Sequence, residues 1–89
     1  MDNLDTKELK IIFSALDNEK RLKIIELCSE KSHTVTELSK KIGLDYSITV
    51  EYISKLEKAN LVRKNRNEDR TVSITSLIKI NNLGEIKKI

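Results

Sequence analysis

The hydrophobic residues of this chain change period once, and that change limits the folds open to it. Up to Asn60 the apolar positions recur at steps of three and four, as in Leu9, Ile12, Phe13 and Leu16, the spacing of one helix face. From Leu61 to Thr75 the pattern alternates instead. Val72 and Ile74 sit between polar neighbours, so two strands with one wet face are expected around the turn Arg66-Asn67-Glu68-Asp69. A chain of 89 residues has room for one domain, residues 1–89, and for one core, because it buries only about 60–65% of its unfolded surface. A two-lobed enzyme with a cleft is excluded. One cysteine forms no internal disulfide, so apolar packing or a partner subunit must hold the fold. With only three aromatics, that packing falls to Leu and to twelve Ile.

Within the helical part, Asp5 and Glu8 have the spacing of a capping box and open a first helix. Asp17 or Asn18 caps a second, whose inward stripe reads Leu22, Ile25 and Cys28, widened by Ile24 and Leu27; so broad an apolar arc belongs at the centre. The polar residues 30–33 interrupt the pattern, and Thr34-Val35 is long enough only for a bridge. Thr36 is expected to cap a short helix, 37–42, ended by Gly43, where a positive φ suits glycine. Asp45 is placed to cap a further helix, 47–60, with Thr49, Ile53 and Leu56 facing inward. After the strands, Leu77, Ile80, Leu83, Ile86 and Ile89 recur at steps of three and predict a C-terminal helix. The expected fold class is mostly α with a small β-hairpin wing: a three-helix core, a two-stranded wing, and flanking N- and C-terminal helices.

Two short helices joined by a Gly-containing turn make a helix-turn-helix, and a hairpin directly after them makes it winged. In such a unit the second helix enters the major groove and its first residues meet base edges. The base-edge candidates are Tyr46 and Ser47 through their hydroxyls, Val50 against a thymine methyl, and Glu51 as acceptor for a cytosine amino group. Candidates for the phosphate backbone are Lys40, Lys41, Ser54 and Lys55, with Arg63, Lys64, Arg66 and Arg70 on the wing. Strand alternation lets only two or three of the wing cations face a duplex together. The charge distribution agrees. Residues 1–45 carry eight basic and nine acidic side chains, net −1, and residues 46–89 carry nine and five, net +4, so the back half suits a polyanion.

Three segments carry a family resemblance. Ala15-Leu16-Asp17-Asn18-Glu19-Lys20-Arg21-Leu22-Lys23-Ile24-Ile25 resembles the start of the second helix in ArsR-type (arsenic-repressor-like) winged-helix regulators. Glu37-Leu38-Ser39-Lys40-Lys41-Ile42-Gly43-Leu44-Asp45-Tyr46-Ser47 is similar to that family's Leu-Ala-x-x-Leu-Gly-Leu-Ser-x-Ser segment, and Leu56-Glu57-Lys58-Ala59-Asn60-Leu61-Val62 to its turn into the wing. MarR-type regulators share much of the last two segments. The resemblance runs over residues 13–74 and implies a prokaryotic transcriptional regulator that dimerises through its first and last helices. Residues 1–16 and 76–89 would then be dimerisation helices, with Leu9, Ile12, Phe13, Leu77, Ile80, Leu83 and Ile86 at the interface. That places two recognition helices about 34 Å apart, one turn of DNA. The sequence departs from the metal-sensing members, which carry two or more cysteines near residues 34–38. Cys28 and His33 are its only soft ligands, Cys28 expected in the core and His33 on the surface, so no metal and no cofactor are expected. Glu51 stands where the family usually has a basic or small polar residue.

No Gly-rich phosphate loop, carboxylate pair or nucleophile with its base can be assembled, so no enzyme is expected, and no small-molecule ligand is evident. No run of about 18 apolar residues occurs, and the chain starts with acidic rather than basic residues, so a soluble cytoplasmic protein with no membrane partner is expected. The expected function is a sequence-specific, double-stranded DNA-binding transcriptional regulator, a repressor by default. It would read the major groove with helix 47–60 and the backbone with wing 63–70. The alternatives are a winged-helix module for protein–protein assembly, with Glu51 marking lost DNA binding, and a non-specific architectural DNA-binding protein.

Overall fold

The computed structural model describes residues 5–81 and 85–89. Four helices come first, with one short strand among them: α1 (Thr6–Leu16), α2 (Glu19–Glu30), β1 (His33–Thr34), α3 (Val35–Ile42) and α4 (Tyr46–Lys58). The strands β2 (Val62–Arg66), β3 (Val72–Ser76), β4 (Ile78–Ile80) and β5 (Ile86–Lys88) follow. β2 and β3 form the antiparallel wing hairpin, and β1 pairs with the other edge of β3, giving the order β1-β3-β2. This is a winged helix-turn-helix, mostly helical, with the wing where the alternating pattern put it. No helix among the described residues is long and apolar enough to cross a membrane.

Local chemistry explains where each helix begins. The Asp5 carboxylate accepts from the Glu8 N–H at 2.8 Å, and the Asn18 side chain accepts from the N–H groups of Lys20 and Arg21. α3 starts earlier than expected. Thr34, not Thr36, is the N-cap, because Glu37 stands three residues after it and closes a reciprocal capping box: Glu37 N–H donates to Thr34 Oγ1, and Thr34 N–H donates to Glu37 Oε1 at 2.8 Å. α4 starts at Tyr46, one residue before the expected boundary, and Asp45 makes no side-chain cap bond there.

The core lies between α2, α3, α4 and the inner face of the wing. It is built from Ile24, Ile25 and Cys28 of α2, Leu38 and Ile42 of α3, Ile53 and Leu56 of α4, and Ile74 of β3. α2 is central, but its inward stripe is rotated from the expected one. Leu22 is exposed and Arg21 is buried, because the guanidinium finds acceptors inside, as shown below. His33 is also buried, only 3% exposed, where a surface residue was expected; its Nδ1 lies 2.8 Å from the Lys31 carbonyl oxygen, which gives that ring nitrogen a partner.

The expected C-terminal helix is not formed. β4 and β5 pair antiparallel instead, with Ile80 opposite Ile86. Ile78 and Ile80 alternate as strand residues, and their β-branched side chains favour that state. At the end of the hairpin where β4 leads into β5, Glu85 N–H donates to Asn81 Oδ1 at 2.9 Å and Asn81 N–H to the Glu85 carbonyl at 3.0 Å. Ser76 turns the chain out of the wing by bonding both polar groups of Ile78. Leu83 falls outside the described residues.

The capping box makes stability pH-dependent with a definite sign. The Thr34 N–H and hydroxyl hold the Glu37 carboxyl below its ordinary value of 4.5. A carboxyl depressed in the folded state contributes stability that is present above its unfolded value and lost as the pH falls through the folded one. Thermal melts should therefore drop below pH 4.5, and Glu37→Gln should flatten that acid limb relative to wild type.

Candidate nucleic-acid interface

The turn between α3 and α4 sets how the second helix is presented. Gly43 has φ +77°, ends α3, and lets its own N–H and that of Leu44 reach back to the Ser39 carbonyl at 2.9 and 3.0 Å. Thr49, fully buried, ties the first turn of α4 to this loop by donating to the Asp45 carbonyl at 2.9 Å. With Thr49, Ile53 and Leu56 turned into the core, the opposite face of α4 is left to solvent. Ser47, Val50, Glu51 and Ser54 share that face at the spacing i, i+3, i+4 and i+7. The first three are exposed and Ser54 is half-buried, while Tyr46 at the helix start is 58% exposed. All four base-edge candidates thus stand together on the open end of one helix. Lys55 is exposed further along the helix, and Lys40 and Lys41 are exposed in the last turn of α3.

Strand register divides the wing cations. Lys64 faces Ile74 and Arg66 faces Val72 across the hairpin, on the face that carries the buried Ile74; Arg63 faces Thr75 on the other. Lys64 is taken up by Glu57 of α4, at 3.2 Å, so it braces the wing against the helix. Arg66 and Arg70 remain exposed toward the tip, Arg70 with φ +71°. Asp69 in the same turn pairs with neither arginine. Its carboxylate accepts from the Thr71 hydroxyl at 2.6 Å and the Thr71 N–H at 3.1 Å, and these bonds hold it below the usual carboxylate range. The outer face of the wing is laced by small polar groups. Asn65 donates to Thr75, and Asn67 donates to Thr71 and Ser73 at 2.8 and 2.7 Å.

Lys20 and Arg21, which sequence reasoning gave no role, and Asn18, expected only as a cap, hold the helices around this face. Lys20 donates to the Ile42 carbonyl at 3.3 Å, at the C-terminal end of α3. Arg21 donates to the carbonyls of Ala15 and Ser14, and its guanidinium stacks over the Tyr52 ring of α4, 5.2 Å from its centroid. Asn18 also reaches the Tyr52 hydroxyl, at 3.5 Å. The only sequence signal was the polar cluster itself, which reads equally well as surface.

The expected interface residues only partly converge. Leu9, Ile12 and Phe13 of α1 line one open groove of about 840 Å³ with Leu77 and Ile86. Ile11 and Ile89 extend it, and Phe13 is 58% exposed. Ile80 instead packs half-buried against the core. Among the described residues no group of three or more His, Cys, Asp or Glu is placed to hold a metal ion. Burial pushes the Cys28 thiol up to about 12 despite a hydrogen bond with the backbone of His33, so it stays protonated at neutral pH.

The family model for bacterial regulatory proteins of the arsR family matches residues 18–64, which span α2 to the first half of the wing. No curated protein matches the chain by sequence. Among solved structures, reduced HlyU from Vibrio cholerae N16961 is 27% identical, with TM-score 0.73, covering 80% of this chain and 74% of its own. NolR from Sinorhizobium fredii is 29% identical, with TM-score 0.74, covering 85% and 81%. The homodimeric winged helix-turn-helix DNA-binding domain of Mb0332 from Mycobacterium bovis is 17% identical, with TM-score 0.75, covering 85% and 75%; at that identity it speaks for the fold alone.

Gly43 offers a direct check on the turn. A Cβ there meets no atom within 4 Å, so Gly43→Ala tests backbone conformation without a clash. It should cost about 1–2 kcal/mol, the penalty of a left-handed L-residue, by urea denaturation.

Proposed function

The chain belongs to the arsR family of bacterial regulatory proteins, and we propose that it is a sequence-specific DNA-binding repressor that acts as a homodimer in the cytoplasm. The family suggests DNA-binding regulation; the observation that supports the finer reading is the solvent-facing stripe of α4. Tyr46, Ser47, Val50 and Glu51 lie at the exposed start of a helix whose other face is locked into the core. A helix held in this way enters a major groove N-terminus first and brings these side chains to base edges. Arg66 and Arg70 extend beyond it to the flanking phosphates, with Lys40, Lys41, Ser54, Lys55 and Arg63 around the same footprint. Lys64, engaged by Glu57, contributes less to DNA than the others. Repression follows where the bound dimer occludes polymerase.

A second copy supplies the two-fold symmetry that a palindromic site requires. The groove between α1 and the C-terminal hairpin, with Leu9, Phe13 and Ile86 exposed in one apolar strip, is the surface we assign to it. One observation favours the rival reading of a protein-assembly module. Glu51 sits in the middle of the recognition stripe, where its carboxylate repels phosphate unless a cytosine amino group meets it.

Fluorescence anisotropy with a duplex from the gene's own upstream region, beside a scrambled duplex, separates these readings. Specific binding should fall about 10³–10⁵-fold between roughly 50 and 200 mM salt if a dimer makes about 6–10 phosphate contacts. Arg66→Ala should weaken binding to both duplexes and reduce the salt slope by about one. Val50→Ala should weaken binding to the upstream duplex alone, by about 1 kcal/mol if Val50 packs on a thymine methyl. Equal binding to both duplexes supports an architectural role, and none at low salt supports the assembly module. In sedimentation, wild type should run as a dimer and Phe13→Glu as a folded monomer.

A further inference from the structure

The first turn of α2 joins the helix assigned to dimerisation to the helix assigned to DNA, through one buried cation. α1 has no basic residue in its last turn, and its closing carbonyls would lack a positive partner within the helix. Arg21 supplies one from outside: Nε donates to the Ala15 carbonyl at 2.6 Å and Nη2 to the Ser14 carbonyl at 3.2 Å. The same guanidinium lies over the Tyr52 ring, and the residue is 8% exposed. Among the described residues the ion pairs are Lys23–Glu26 and Lys64–Glu57, so carbonyl dipoles and a π face, rather than a carboxylate, accommodate this charge. Asn18 adds a longer tether to the Tyr52 hydroxyl at 3.5 Å while its Oδ1 caps α2.

We propose that Arg21 is a positioning residue: by bonding the end of α1 and stacking on Tyr52, it sets the angle of the recognition helix α4 relative to α1. The proposal rests on the DNA-binding reading for its consequence but not for its geometry. A dimer reads two half-sites at a fixed separation, so any turn of α4 against α1 moves both recognition helices off register at once. The fork and plane of the guanidinium are what make the joint directional; an ammonium supplies charge without either. Tyr52 lies away from the stripe of Ser47, Val50 and Glu51, so it acts on DNA only through the pose of the helix.

The test uses the full chain with Arg21→Lys, Tyr52→Phe and Tyr52→Leu. Residual dipolar couplings of the α1 and α4 amides read the angle between the helices, and anisotropy reads the preference for the upstream duplex over the scramble. Tyr52→Phe keeps the ring and should leave both readouts at wild-type values. Tyr52→Leu and Arg21→Lys should shift or average the α4 couplings relative to α1. They should also cut the preference about tenfold, the size of one lost base contact, with scramble binding unchanged at low salt. A merely structural role lowers binding to both duplexes in step with the folded fraction and leaves the couplings of the folded protein unaltered, which overturns the proposal. If wild type prefers neither duplex, the DNA reading fails by itself. The couplings then decide the joint: an α4 orientation retained in Tyr52→Leu and Arg21→Lys overturns it.

Discussion

Every helix ends with carbonyl groups that its own backbone does not satisfy, and in a fold of four short helices those ends make up a large share of the polar backbone. Here the start of α2 serves all four helices at once. Asn18 caps α2 itself, Lys20 reaches the end of α3, and Arg21 reaches the end of α1 and stacks on α4. The core alone, made mostly of Ile and Leu, imposes no single direction, because apolar contact is non-directional. The polar turn at its edge supplies direction. It lets Arg21 be buried in a small domain without a carboxylate partner, since Nε and Nη2 meet carbonyls and the guanidinium lies over a ring.

From that turn the remaining geometry follows outward. With α1 and α3 held by the start of α2, α4 packs against them through Thr49, Ile53 and Leu56, and its other face is left open. Glu57 near the end of α4 pairs with Lys64 and sets the base of the wing, while the Asn65, Asn67, Ser73 and Thr75 side chains stiffen its outer face. The wing is thus braced at its root and laced by short polar groups, which leaves Arg66 and Arg70 free at the far end. α1 and the C-terminal hairpin, meanwhile, expose apolar side chains along one open groove. The two surfaces are different in kind, one carrying polar and cationic side chains, the other apolar ones.

Much of this was legible in the sequence because it depends on period and on turn chemistry. The change from steps of three and four to alternation located the wing, Gly43 located the helix-turn-helix bend, and Asn18 and Asp5 located two helix starts. Other features were not legible, for three physical reasons. Thr34 and Thr36 are both competent caps, and only the Glu37 pairing three residues downstream selects Thr34. Residues 77–89 carry an apolar step of three that fits a helix face, yet Ile78 and Ile80 also alternate, and the β-branched side chains together with the Asn81–Glu85 bonds decide for a hairpin. Arg21 and His33 are polar types that read as surface from sequence, and only the folded positions of nearby backbone carbonyls show how they are accommodated when buried. The exposed residues of α4 were identifiable by helical phase, because Thr49, Ile53 and Leu56 had to face inward.

The central claim is that the open face of α4, with the wing tip beside it, is the surface that meets DNA. Its most direct test is a titration of isotope-labelled protein with the upstream duplex, followed by amide chemical shifts. The account predicts the largest changes at Ser47, Val50, Glu51 and Ser54, with a second group at Arg66 and Arg70, and small changes along the groove between α1 and β5. Shifts confined to that groove, with the amides of α4 unmoved at saturating duplex, would contradict it.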